Sequence, residues 1–88
     1  MIMGPKELSD ARIRNRILNE IIEERFTQHE FWGEQNHNSD KWFSILGEEI
    51  GEACQANNDG DIDNYRTGCI QAAAVLVQMI ECYDRNGR

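Results

Sequence analysis

The sequence predicts an all-α fold of three main helices. Apolar residues recur at three- and four-residue spacing through three long segments, the helical period. Clusters of Gly, Asn, Asp and Ser separate those segments, and no stretch alternates apolar and polar residues as a half-buried strand does. With 88 residues there is room for one small domain, residues 1–88.

Met1 to Glu7 reads as a loose start of about eight residues, with Gly4-Pro5 as a breaker. Ser9 or Asp10 is the expected cap of the first helix. Ile13, Ile17, Leu18, Ile21, Ile22 and Phe26 carry its pattern to about His29 or Phe31. A loop follows, Phe31 to Asp40, marked by Gly33 and by Asn36, Asn38, Ser39 and Asp40. It mixes an indole with amides and an imidazole. Two readings of it stand: Trp32 plugs the end of the core, or Trp32 stacks on a nucleobase while Gln35 and His37 bond to its edge.

The second helix is expected to start at a Ser39 or Asp40 cap and to end near Asn57-Asn58-Asp59-Gly60. Lys41 lies in its first turn, where the helix dipole disfavours a cation and a bound anion would welcome one. With Trp42 at zero and about 100° per residue, Leu46, Ile50 and Ala53 fall on one stripe, with Ile45 and Ala56 beside it. Glu49 falls inside that stripe, Glu52 at its edge and Glu48 just beyond. A carboxylate on a buried stripe needs a cation, a basic partner or a proton. Carboxylates three apart lean over one patch of helix surface, a donor set that suits Mg²⁺. The alternative is a helix with a partly covered acidic edge.

Asp61 is the expected cap of the third helix. Its stripe is broad: Ile62, Tyr65, Cys69, Ala72, Ala73, Leu76, Ile80 and Tyr83, with Gln71 and Gln78 away from the centre. Two other helices cannot cover a stripe this wide, which argues for a homodimer or higher homo-oligomer. Asp84 to Arg88 reads as a polar tail.

The formal charge of −7 offers no basic surface for a nucleic-acid backbone. A small polyphosphate neutralised by a metal ion remains compatible with it. Cys54, Cys69 and Cys82 lie in helical apolar patterns and read as buried reduced thiols, which points to a reducing, cytoplasmic setting. No apolar run approaches membrane-spanning length. His29 and His37 lack a partner at metal-ligand spacing and read as surface or loop residues.

Glu48-Glu49-Ile50-Gly51-Glu52 resembles the E-E-x-x-E motif of the MazG-like, all-α nucleoside triphosphate pyrophosphohydrolases. Glu24-Arg25, Gln28 and Trp32-Gly33-Glu34-Gln35-Asn36-His37 resemble the E-R-x-x-Q…W-G-x-Q-N-H run of small MazG-like proteins of phages and prophages. Tyr65-Arg66 and Ile70 to Val75 resemble that group's next helix. The resemblance implies a MazG-like helical bundle completed by oligomerisation, commonly a dimer. It implies cleavage of a nucleoside or deoxynucleoside triphosphate to monophosphate and pyrophosphate. It implies Mg²⁺ (or Mn²⁺) held by Glu49 and Glu52, with Glu48 as an auxiliary carboxylate, the three forming the catalytic set. It also implies an E-x-x-D motif on the third helix, but those positions hold Gly68 and Gln71. Asp61 and Asp63, near the start of that helix, are the candidate substitutes. Three readings follow: a pyrophosphohydrolase, a relative that binds a nucleotide or partner without turnover (a phage protein sequestering a nucleotide signal, for example), and a helical structural protein with an acidic groove.

Overall fold

A computed structural model describes residues 2–87 and contains three α-helices: α1 (Pro5–Trp32), α2 (Ser39–Asn58) and α3 (Ile62–Asn86). No strand occurs among the described residues. Helix α3 is the centre of the architecture. It packs against both α1 and α2, and those two do not pack on one another.

The start of α1 differs from the sequence expectation. The helix begins at Pro5, with Gly4 as N-cap. Proline at the first helical position has no N–H to leave unpaired and a φ already suited to the helix. The Glu7 carboxylate accepts a hydrogen bond from the Gly4 backbone N–H, one half of a capping box. Ser9 and Asp10 are therefore interior residues. Asn38 caps α2, its Oδ1 accepting from Lys41 N at 2.9 Å, so Ser39 and Asp40 lie in the first turn. Asp61 caps α3 as expected, accepting from Asn64 N at 3.2 Å. Helix α3 runs on through Asp84 and Arg85 to Asn86, and Gly87 closes it with φ 79°. The expected tail is helical up to that glycine; Arg88 lies outside the described residues.

Trp42, Leu46, Val75 and Cys82 form the core between α2 and α3, with Ile45, Ala72 and Met79 packed against it. Ala53, Ala56 and Ala74 extend the buried contact. Gly68 is buried where α3 crosses α2, and a Cβ placed on it would lie 2.9 Å from Ala53 Cβ and 3.1 Å from Ala53 Cα. The two backbones approach this closely only because position 68 has no side chain. That explains a glycine in a helix interior, where it weakens the helix by about 1 kcal/mol relative to alanine.

A set of side-chain hydrogen bonds and ion pairs ties α1 to α3. Gln78 Nε2 donates to Gln28 Oε1 at 2.6 Å, and Gln28 Nε2 donates to the Gln71 carbonyl at 3.3 Å. Arg25 Nε pairs with Glu81 Oε1 at 2.6 Å, and Arg66 with Glu20 at 2.6 Å. Gln78, expected off the stripe, is only 5 % exposed because it faces α1 and finds an amide partner there.

Away from these contacts the apolar surface is open. Ile62, Tyr65, Leu76, Ile80 and Tyr83 line an exposed face of α3, joined by Phe43 and Ile50 of α2 and by Leu18, Ile22 and Phe26 of α1. Ile50 therefore leaves the stripe assigned to it. Cys54 and Cys69 are exposed as well, and only Cys82 is the buried thiol expected. The accessible surface is 6740 Å², about 1,400 Å² above that of a typical folded chain of 10.2 kDa. The radius of gyration is 15.3 Å, against about 12 Å for a compact domain of this length. No helix among the described residues is long and apolar enough to cross a membrane.

Gly68→Ala improves helix propensity yet forces its methyl into Ala53. The variant is expected to lose about 1–3 kcal/mol of stability by urea denaturation. A gain would show that the helices can part at this point without loss.

Candidate functional site

On the face of α3 away from its exposed apolar stripe, the gap between α1 and α2 is a groove of about 670 Å³. Gln71, Val75 and Gln78 of α3 form its floor, Glu24, Thr27, Gln28, Phe31 and Trp32 of α1 one wall, and Lys41, Ile45, Glu48 and Glu49 of α2 the other. The loop residues Gln35 and His37 close one end.

Because α1 and α2 diverge over α3 without touching, the groove stays open along its length. Six of the seven residues singled out from the sequence therefore share one surface: Trp32, Gln35, His37, Lys41, Glu48 and Glu49. Glu52 does not line it; that side chain is exposed on α2 one turn beyond Glu49.

Trp32 is 69 % exposed at the groove wall. The core-plug reading fails for it, and Trp42, 3 % exposed, holds that role instead. The His37 ring meets Trp42 edge-on, centroids 4.9 Å apart, while His37 Nε2 donates to Gln35 Oε1 at 3.0 Å. A buried indole and a neighbouring amide thus fix the orientation of the imidazole. The end of α3 holds the loop itself. Arg85 Nη2 donates to the Gln35 carbonyl at 3.1 Å and to Asn36 Oδ1 at 3.0 Å, and Asn86 Nδ2 donates to Asn36 Oδ1 at 2.7 Å. A hydrogen bond from the Asn36 side-chain amide, and after it the charge of Arg85, hold the Glu34 carboxyl below the usual carboxylate range.

Glu49 is partly buried between Leu46 and Ala53, as the helical arithmetic requires. Burial, and after it the charges of Glu52, Glu24 and Glu48, push its carboxyl above the ordinary range. Glu24 is the residue that sequence reasoning missed. It comes from α1, and only the packing of both helices on α3 brings it toward Glu49. Its one sequence signal is its place ahead of Arg25 in the E-R-x-x-Q run.

Neither proposed substitute for the absent E-x-x-D motif reaches the groove. Asp61 is engaged in capping α3, where it also accepts from Asn64 Nδ2 at 2.6 Å, and Asp63 lies in the same first turn. Position 68 faces Ala53, so a carboxylate side chain has no room there. Position 71 does face the groove but presents an amide.

Among the described residues no three His, Cys, Asp or Glu side chains form a ready-made metal cage. A Mg²⁺ ion bound together with phosphates needs only one or two carboxylates, water and the phosphates filling the remaining positions. Glu49 fits that limited demand: its raised carboxyl has neighbouring negative charge that a cation would relieve.

No protein-family model, curated protein or solved structure matches the chain.

Glu49 is an acid whose folded pKa lies above its unfolded value, so it binds protons more readily in the native state. Its penalty is absent at pH below the ordinary carboxylate range, grows as pH rises through the raised value, and is full above it. Glu49→Gln is therefore expected to raise the melting temperature at neutral pH in metal-free buffer, with the gain shrinking as pH falls through the carboxylate range. A gain that does not change with pH would mean that charge is not its source.

Proposed function

We propose that the groove is a nucleotide site and that its activity is pyrophosphohydrolysis, a nucleoside or deoxynucleoside triphosphate giving the monophosphate and pyrophosphate. The observation that carries this is the meeting in one groove of an exposed indole, a loop imidazole and amide, a lysine and a pair of glutamates, drawn from separate stretches of the chain. This set matches the parts of a nucleotide: a flat base, an edge with donors and acceptors, and an anionic chain that needs cations. The MazG-like pattern in the same residues points the same way.

In this reading Trp32 stacks on the base, and Gln35 and His37 bond to its edge from a loop clamped by Arg85. Lys41 pairs with the phosphates. Glu49, with Glu48 beside it and Glu52 one turn on, would hold Mg²⁺ or Mn²⁺. When bound, the ion neutralises the triphosphate and polarises the bond to the leaving oxygen. Glu48 accepts the proton of a water whose oxygen bonds to the α phosphorus as the bond between that phosphorus and the α–β bridging oxygen breaks, releasing pyrophosphate. The working form in this proposal is a homo-oligomer, since the apolar back of the helical layer is uncovered in one chain.

A second reading rests on α3. Gly68 is committed to packing, and Gln71 offers the groove an amide where the related enzymes offer an acid. On this reading the protein binds a nucleotide, or a partner, without turnover.

Pyrophosphate release is expected from at least one member of a panel of nucleoside and deoxynucleoside triphosphates in millimolar Mg²⁺ or Mn²⁺, and Glu49→Gln should abolish it. Binding by calorimetry with no release by wild type would select the second reading. If neither ion nor any nucleotide shifts the melting temperature, the assignment of the groove as a nucleotide site fails and only the fold stands.

Trp32→Ala should weaken nucleotide binding by about 1–3 kcal/mol, the worth of one base–aromatic stack. Calorimetry checks this without interference from the fluorescence of Trp42. Unchanged affinity in the folded variant would remove Trp32 from the site.

A further inference from the structure

The first half of α1 lacks support from its own chain. From Pro5 to Arg16 every residue is exposed except Ala11, which is partly buried. Among the described residues the first side-chain tie from α1 to α3 comes only at Glu20, through Arg66. The unsupported stretch is about 18 Å long at the helical rise. A helix that short is marginal in water unless its apolar face is covered.

That face exists. At about 100° per residue, Leu8, Ala11, Leu18, Ile22 and Phe26 share one side of α1, which faces away from the groove. Leu18, Ile22 and Phe26 are 49 %, 53 % and 66 % exposed. The stripe opens into an apolar hollow between α1 and α3, where Ile21, Ile22, Phe26 and Val77 surround the Arg25–Glu81 pair. In that hollow Arg25 Nη1 is buried with no hydrogen-bond partner.

The charges along α1 are divided. Residues 5–16 carry Lys6, Arg12, Arg14 and Arg16 against Glu7 and Asp10. Residues 20–32 carry Glu20, Glu23, Glu24 and Glu30 against Arg25. A parallel partner would set like halves together, whereas an antiparallel copy sets each half against its opposite.

We propose that the occupant of this face is a second copy of the chain, its α1 lying antiparallel to the first with Leu18 near the two-fold axis. In that register Arg12 of each copy is level with Glu23 of the other along one flank of the stripe. The whole chain carries about 1,400 Å² of surplus accessible surface, and a stable dimer buries roughly 800 Å² per partner, so covering the α1 face accounts for part of that surplus. This rests on the homo-oligomer reading above and adds its face, direction and register. The pairing lies on a side of α1 away from the groove, so both grooves stay open.

Light scattering tests the oligomer, and cross-linking tests the register. In a Cys54→Ser, Cys69→Ser background, Leu18→Cys is expected to join two copies through a short bis-maleimide. Ile13→Cys, on another side of α1, should not. Arg12→Glu should weaken the dimer at least tenfold in dilution experiments, and the added Glu23→Arg should restore it. A folded monomer at micromolar concentration would defeat the oligomer reading itself. A dimer that fails to link through Leu18→Cys, or whose charge reversal is not rescued, would overturn this interface alone.

Discussion

The fold depends on the close crossing of α2 and α3 at Ala53 and Gly68. With no Cβ on Gly68, the backbones meet, and the aromatic and aliphatic side chains on either side can close into a core. That core is small and one-sided. Trp42 and Leu46 come from α2, Val75 and Cys82 from α3, and α1 contributes none of the four. Thus α2 and α3 form the apolar unit of the chain, and α1 is added to it by different chemistry.

The different chemistry is polar. The Gln28–Gln78 amide pair and the Arg25–Glu81 and Glu20–Arg66 ion pairs hold α1 against α3. A buried amide without its partner is penalised, so Gln28 and Gln78 depend on each other, while the exposed Glu20–Arg66 pair contributes little. Amides and ion pairs fix a distance and an angle but do not draw helices together over their length. Helix α1 therefore stands apart from α2, and the space between them is the groove. The same arrangement produces the two chemically distinct sides of the layer. The groove side gathers carboxylates, amides, an imidazole and a lysine. The back gathers Tyr65, Leu76, Ile80, Phe26 and Phe43 with no covering element.

The loop between α1 and α2 shows how the end of α3 serves the groove. Arg85 and Asn86 read as part of a polar tail in the sequence. In three dimensions they clamp the carbonyl of Gln35 and the amide of Asn36, and so hold the segment that presents His37. Trp42 completes the support from below. The loop's polar residues thus divide their work: Gln35 and His37 face the groove, and Glu34 and Asn36 face the clamp.

Local chemistry alone determined a good part of this. Helical periodicity gives three helices, the Asn57–Gly60 turn and the Asp61 cap, because those signals act within a few residues of themselves. The same arithmetic puts Glu49 on a buried stripe, since the angle of a side chain around its helix is set by its own helix. The tertiary structure decided whatever depends on a second helix. Gly68 reads as a weak point until Ala53 is seen against it. Gln78 reads as a surface amide until Gln28 meets it. Cys54, Cys69 and Ile50 carry an apolar signal identical to that of buried residues, yet no element of this chain covers them. Glu24 joins Glu49 only because both helices rest on α3. A period fixes which side of a helix a residue occupies, but the neighbour on that side is fixed by packing between residues far apart in the chain.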